Sequence, residues 1–66
     1  MRIVVNGVPR EVADGATVAE VLAALGLPSV GIAVAVDGAV VPRASHAVAV
    51  VAPGAALEVL TAVQGG

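Results

Sequence analysis

The opening stretch "MRIVVNGVPREV" puts Met1, Ile3 and Val5 in phase at every second position. Side chains alternate between the two faces of a strand, so these three share a face. Asn6-Gly7 breaks the run. Both residues tolerate positive φ, which a two-residue hairpin turn demands, so the stretch predicts two antiparallel strands. The period then changes. In "TVAEVLAALGLP", Val18, Val21, Leu22 and Leu25 fall at i, i+3, i+4 and i+7. That spacing makes one apolar stripe along a helix. Both helix ends are marked. Thr17 and Glu20 fit a capping box, in which each side chain bonds the other residue's amide. Gly26 stands where a left-handed residue ends a helix, Leu27 can supply the accompanying apolar contact, and Pro28 prevents continuation.

Alternation returns in "GIAVAVDGAVVPR", which predicts a second hairpin turning at Asp37-Gly38. Ile32, Val34 and Val36 share one face, and Ala33 and Ala35 share the other. Pro42 has no amide hydrogen to donate, so it ends the ladder or marks an edge. From Ala44 to Gly54 the pattern is mixed. "ASHAVAVVAPG" suits a short helical turn or another strand, up to a turn at Pro53-Gly54. "ALEVLTAV" reads as the final strand, with Leu57 and Val59 on one face and Glu58 and Leu60 on the other. A single helix of about two turns can cover only one face of a sheet. The stable two-layer solution packs that helix across a mixed sheet. The predicted fold class is therefore α+β: a ubiquitin-like β-grasp with a mixed four- or five-stranded sheet and one helix across one face. The expected domain spans residues 1–63, with 64–66 as a flexible C-terminal tail.

Composition narrows the function. A chain of 66 residues buries only about 60% of the surface its unfolded form exposes. It has no Cys and one His, so neither a disulfide nor a metal can reinforce it. With 59% hydrophobic residues and no aromatic ones, the core must be built from small aliphatic side chains. The net charge is −2, the three arginines are scattered, and Lys is absent. A nucleic-acid partner needs a basic stripe, which this chain lacks. Without Lys the protein also cannot carry chains of itself on its own side chains. The longest uncharged stretch, Val21 to Val36, has 16 residues and is broken by Gly26, Pro28 and Gly31. A membrane-spanning helix wants about 20 apolar residues. The apolar run after Arg2 is too short for a signal peptide. No membrane partner and a cytoplasmic location are expected.

Candidate chemistry is sparse. His46 is the only imidazole, with no Cys and no Ser-His-Asp set beside it. A metal site needs three or four ligands, so His46 is expected to be a loop or partly packed residue. The carboxylates are spread without paired spacing, and Asp14 and Asp37 suit turns. "GLPSVG" lacks Lys and follows a helix, so it is no phosphate loop. The chain is expected to have no active site and no cofactor of its own. What remains is the ending, Gln64-Gly65-Gly66. Glycine has no Cβ, so this tail can thread a narrow channel in another protein. Its terminal carboxylate is unreactive, but ATP can convert it to an acyl adenylate open to sulfur or amine nucleophiles. The bland alternative is an idle, frayed terminus. A second candidate is the sheet face away from the helix, where Ala33, Ala35 and Leu60 stand with Glu58. An uncovered apolar patch there suits a partner surface; scattered surface alanines are the ordinary alternative.

Four stretches carry a family resemblance: "MRIVVNG", "DGATVAEVL", "VAVDGAVVPR" and "LEVLTAVQGG". In these the chain resembles the ThiS family, the sulfur carrier proteins of thiamine biosynthesis. "VPR" and "QGG" are the most specific parts; the hydrophobic patterning is generic to the fold. The resemblance implies that a ThiF-type adenylating enzyme uses ATP to adenylate the Gly66 carboxylate. A cysteine-derived persulfide then converts it to a thiocarboxylate. That group gives its sulfur to a ThiG-type thiazole synthase, which builds the thiazole phosphate half of thiamine. On this reading the protein is a carrier and not an enzyme. Members often have Trp shortly after the Pro-Arg pair, where this chain has His46. The same tail chemistry also serves the small subunit of molybdopterin synthase. A ubiquitin-like protein modifier would instead end in an isopeptide bond to a target lysine. A plain interaction domain would leave the tail idle.

Overall fold

The computed structural model describes residues 1–28 and 30–61. Ser29, the last two residues of the predicted final strand, Ala62 and Val63, and the tail residues Gln64, Gly65 and Gly66 lie outside them. Strands β1 (Arg2–Val5) and β2 (Val8–Glu11) form the first hairpin. Helix α1 (Val18–Ala24) follows. Strands β3 (Ile32–Val36) and β4 (Ala39–Val41) form the second hairpin, and β5 (Ala56–Thr61) comes last. The sheet is five-stranded and mixed, in the order β2-β1-β5-β3-β4. β5 runs parallel to β1 and antiparallel to β3. The ambiguity in strand number resolves to five, and the stretch from Ala44 to Gly54 contributes none of them.

Local chemistry explains each element. Asn6 and Gly7 have φ of 50° and 81°, and Asp37 and Gly38 have 50° and 86°. Positive φ at both central residues matches the twist of a two-residue hairpin. At the start of α1, the Glu20 amide donates to Thr17 Oγ1 at 3.2 Å, and the Thr17 amide donates to Glu20 Oε1 at 2.9 Å. At its end, the Leu27 amide reaches the Leu22 carbonyl at 2.9 Å and the Gly26 amide reaches the Ala23 carbonyl at 3.1 Å. Gly26 has φ of 71°, so this is a Schellman ending, with Leu27 packed against the core. The Met1 ammonium caps the open end of the first hairpin, donating to the Val12 carbonyl at 2.6 Å. Its hydrogen bond to Asp14 and the nearby Glu11 carboxylate raise its pKa above the ordinary 8.0.

The segment after β4 opens with a 3-10 turn, Arg43–Ser45, continues in turns to Val48, and then bridges Thr17 at Val50 beside the helix start. There it supplies acceptors that α1 lacks. The Val18 amide donates to Ala49 and the Ala19 amide to His46, both at 2.9 Å, and the Val51 amide donates to Ala16 at 2.8 Å. The first amides of a helix have no partner within it. Here the loop and the Thr17 hydroxyl satisfy three in succession. These bonds join residues about thirty apart in sequence, which is why local periodicity could not assign the segment.

The core lies between α1 and one sheet face. Ile3 and Val5 come from β1, Val34 from β3, and Leu57 and Val59 from β5; Val18, Val21 and Leu22 come from the helix. Ala16, Val51 and Ala55 close its rim. The predicted inward sets of β1, β5 and α1 are therefore the observed ones. Replacing Thr17 by Ala removes half of the capping box. Urea unfolding is expected to show a loss of about 1 kcal/mol, and an unchanged midpoint would mean that the loop alone holds the helix start.

Candidate functional site

β5 leads toward the chain end, and its neighbours are too short to bond all of it. β1 pairs with it at Val4–Ala56 and Val5–Leu57, then turns away at Asn6. The Asn6 side chain takes over the ladder. Its Oδ1 accepts from the Val59 amide at 2.8 Å, and its Nδ2 donates to the Val59 carbonyl at 3.1 Å. The Asn6 main-chain amide also donates to the Leu57 carbonyl at 2.9 Å. On the other side, β3 turns away after Val36. The Asp37 carboxylate accepts from the Ala56 amide at 2.9 Å, and the Asp37 amide donates to the Ala56 carbonyl at 2.8 Å. The first residue of each hairpin turn thus clamps β5, Asp37 at its start and Asn6 at Val59 on the edge that β1 leaves open. Sequence reading assigned Asn6 and Asp37 only to their turns. The missed signal is that both positions carry a short side chain able to bond main-chain groups.

The outer sheet face gathers the predicted surface residues. Leu60 lies directly across from Ala33, and Glu58 across from Ala35. Ala35 in turn faces Val40 on β4. Leu60 is 66% exposed and Val40 74%. Ala33 and Glu58 are exposed, whereas Ala35 is half-buried. Val40 was not among the expected surface residues, although its place opposite Ala35 follows once the hairpin register is known. Glu58 is the one charged residue of β5 and none stands in β3 or β4, so this part of the face is apolar around a single carboxylate, with the paired Arg2 and Glu11 at the far β1–β2 end of the same face. Leu60 sits one residue before Thr61, where the described part of the strand ends opposite Ile32.

His46 is more deeply placed than expected, only 6% exposed. Its Nε2 lies 3.1 Å from the Val41 carbonyl. A carbonyl only accepts, so that nitrogen carries the hydrogen. The ring fastens the 3-10 turn to the end of β4. Among the described residues no group of His, Asp and Glu could hold a metal ion. Among them, too, no helix is long and apolar enough to cross a membrane.

A mixed five-stranded sheet with one helix across one face, and a central last strand parallel to the first, is a ubiquitin-like β-grasp domain. The chain belongs to the ThiS family, whose model matches residues 3–66. It is similar to the crystal structure of a thiamine biosynthesis protein (ThiS) from Geobacter metallireducens, with 33% identity, all of both chains covered and a TM-score of 0.85. It is also similar to the solution NMR structure of a thiamine biosynthesis protein from Geobacter metallireducens. There the identity is 32%, the coverage 100% of this chain and 87% of that one, and the TM-score 0.78. No curated protein matches the chain. The family is one of small sulfur carriers of thiamine biosynthesis rather than catalytic enzymes.

The clamp can be tested without disturbing the turn. Asn6→Gly keeps a residue that tolerates positive φ but leaves the Val59 amide and carbonyl without the Asn6 side chain. Val59 is 7% exposed, so urea unfolding is expected to show a loss of about 2 kcal/mol. A loss of a few tenths would mean that water replaces the side chain at no cost.

Proposed function

We propose that the protein carries sulfur as a thiocarboxylate on the Gly66 carboxylate, for synthesis of the thiazole of thiamine. The single observation that carries this reading is membership of the ThiS family over residues 3–66. The geometry supports it. β5 is the central strand, hydrogen-bonded on both sides, and it leads toward the chain end. A folded body that holds its last strand fixed can present the residues beyond it to another protein's channel.

The chemistry needs a partner at each step. A ThiF-type enzyme binds ATP, and the Gly66 carboxylate attacks its α-phosphate, releasing pyrophosphate and leaving an acyl adenylate. A cysteine-derived persulfide attacks that carbonyl and AMP leaves. Reductive cleavage of the resulting acyl disulfide by a thiol leaves the thiocarboxylate. A ThiG-type thiazole synthase then takes the sulfur. The carrier contributes no catalytic side chain. Gln64 and Gly65 place the carboxylate in the channel, and the absence of Cβ atoms at Gly65 and Gly66 allows a close approach. The apolar outer face, with Ala33, Ala35, Leu60 and Glu58, docks the partner enzyme.

Intact mass tests the assignment after incubation with a ThiF-type enzyme, ATP and a cysteine-derived sulfur source. The expected gain is that of replacing one oxygen by sulfur. Gly66→Val should abolish the gain and leave the circular dichroism spectrum unchanged. Normal conversion of that variant would sink the threading idea. High-mass conjugates to target lysines, in place of a thiocarboxylate, would make the protein a modifier instead. Leu60→Asp should weaken enzyme binding roughly tenfold without unfolding the domain. Unfolding would show that this face is needed for stability, and unaltered binding would place the docking surface elsewhere.

A further inference from the structure

On the helix side of the molecule, away from the outer sheet face, an open groove of about 420 Å³ runs between α1 and the 3-10 turn. Ala19, Leu22, Ala23 and Leu27 form one wall; Arg43, His46 and Ala47 form the other. The small side chains of three alanines leave the space open. Small-molecule sites are commonly concave and mostly apolar, with a few polar groups that fix orientation.

The charges around the groove point one way. Arg43 has no carboxylate partner among the described residues, whereas Arg2 pairs with Glu11 at 3.4 Å. The acidic residue nearest in sequence to the helical wall is Glu20, and its carboxylate accepts from the Thr17 amide at the helix start. Asp37 is bonded to Ala56 on β5, and Glu58 belongs to the outer face. In a protein of net charge −2, this groove therefore joins an unpaired cation to an apolar wall. The His46 Nε2 hydrogen is already committed to the Val41 carbonyl. In the neutral ring the other nitrogen can only accept, so Arg43 is the group that would receive an anion.

We propose that this groove binds a short aliphatic carboxylate. Its carboxylate pairs with the Arg43 guanidinium, and its hydrocarbon chain lies against Leu22 and Leu27. The ligand class follows from the lining alone and is independent of the sulfur-carrier reading. A bare anion such as phosphate would leave the apolar wall unused, and a neutral alkane derivative would leave Arg43 unused.

The test is a titration of the 15N-labelled full chain with sodium hexanoate, followed by 1H–15N NMR. Hexanamide and sodium acetate serve as the uncharged and chainless comparisons. Saturable shifts are expected at Ala19, Ala23, Leu27, Arg43 and Ala47, with a Kd on the order of a few millimolar. Hexanamide and acetate should each bind at least about fivefold more weakly. Arg43→Gln should weaken hexanoate by a similar factor. Ala23→Leu, at an exposed helix position that tolerates leucine, should fill the groove and remove the response while the remaining spectrum stays folded. Shifts that fail to saturate by roughly 50 mM, or that fall on the outer sheet face, would overturn the proposal. So would equal binding of hexanamide, or an Arg43→Gln variant that binds as well as the parent.

Discussion

A central strand must be hydrogen-bonded along both edges, and in this domain neither neighbour of β5 is long enough to do it alone. β1 leaves after Val5 and β3 leaves after Val36. At Val59, which is 7% exposed, main-chain groups left bare would each cost about 1–3 kcal/mol, a large share of what a small domain has to spare; at the exposed Ala56 water can take the place of a lost partner. The Asn6 amide and the Asp37 carboxylate fill the two gaps, one at Val59 and one at Ala56. Each hairpin turn thus does two things. It reverses its own chain, and its first side chain extends the ladder of the strand between the hairpins. The parallel pairing of β1 with β5, the inward placement of Leu57 and Val59, and the position of the strand's last residues all depend on this arrangement.

The same economy runs through the rest of the fold. With no aromatic residue or cysteine in the sequence, and no metal-holding group among the described residues, the core uses close packing of Val, Leu, Ile and Ala. The helix is short, seven residues, and helices of that length are unstable alone. It is held at its start by the capping box and by carbonyls of the loop after β4, and at its end by the Schellman ending. His46 then ties that loop back to β4. One connected set of hydrogen bonds therefore runs from the sheet edge, through the loop, to the helix start.

The elements set by neighbouring residues were legible in the sequence. Asn6-Gly7 and Asp37-Gly38 announced the hairpins, Thr17 and Glu20 the helix start, and Gly26 its end, because each signal acts within a few residues. Alternation in "ALEVLTAV" assigned both faces of β5, and with them the exposed positions of Glu58 and Leu60. What escaped depends on distant partners. The Asn6 contact with Val59 spans 53 residues and the Asp37 contact with Ala56 spans 19. The loop from Ala44 to Gly54 takes its shape from the helix it serves, and His46 from a groove that exists only once α1 and the 3-10 turn meet. For function, the body reads as a scaffold, and the chemistry proposed for the chain end rests on the family and on the glycine pair.

The central claim is that turn side chains, together with the main-chain amides of the same residues, fasten β5 at Ala56 and at Val59. Residue-resolved amide hydrogen exchange of the folded chain tests it most directly. The Val59 and Ala56 amides should be protected to a similar degree as the amides paired by main-chain bonds within the sheet. Exchange of Val59 or Ala56 at the rate of an exposed loop amide would contradict the account, because the edge of β5 at that residue would then be open and the turn side chain could not be holding the strand in place.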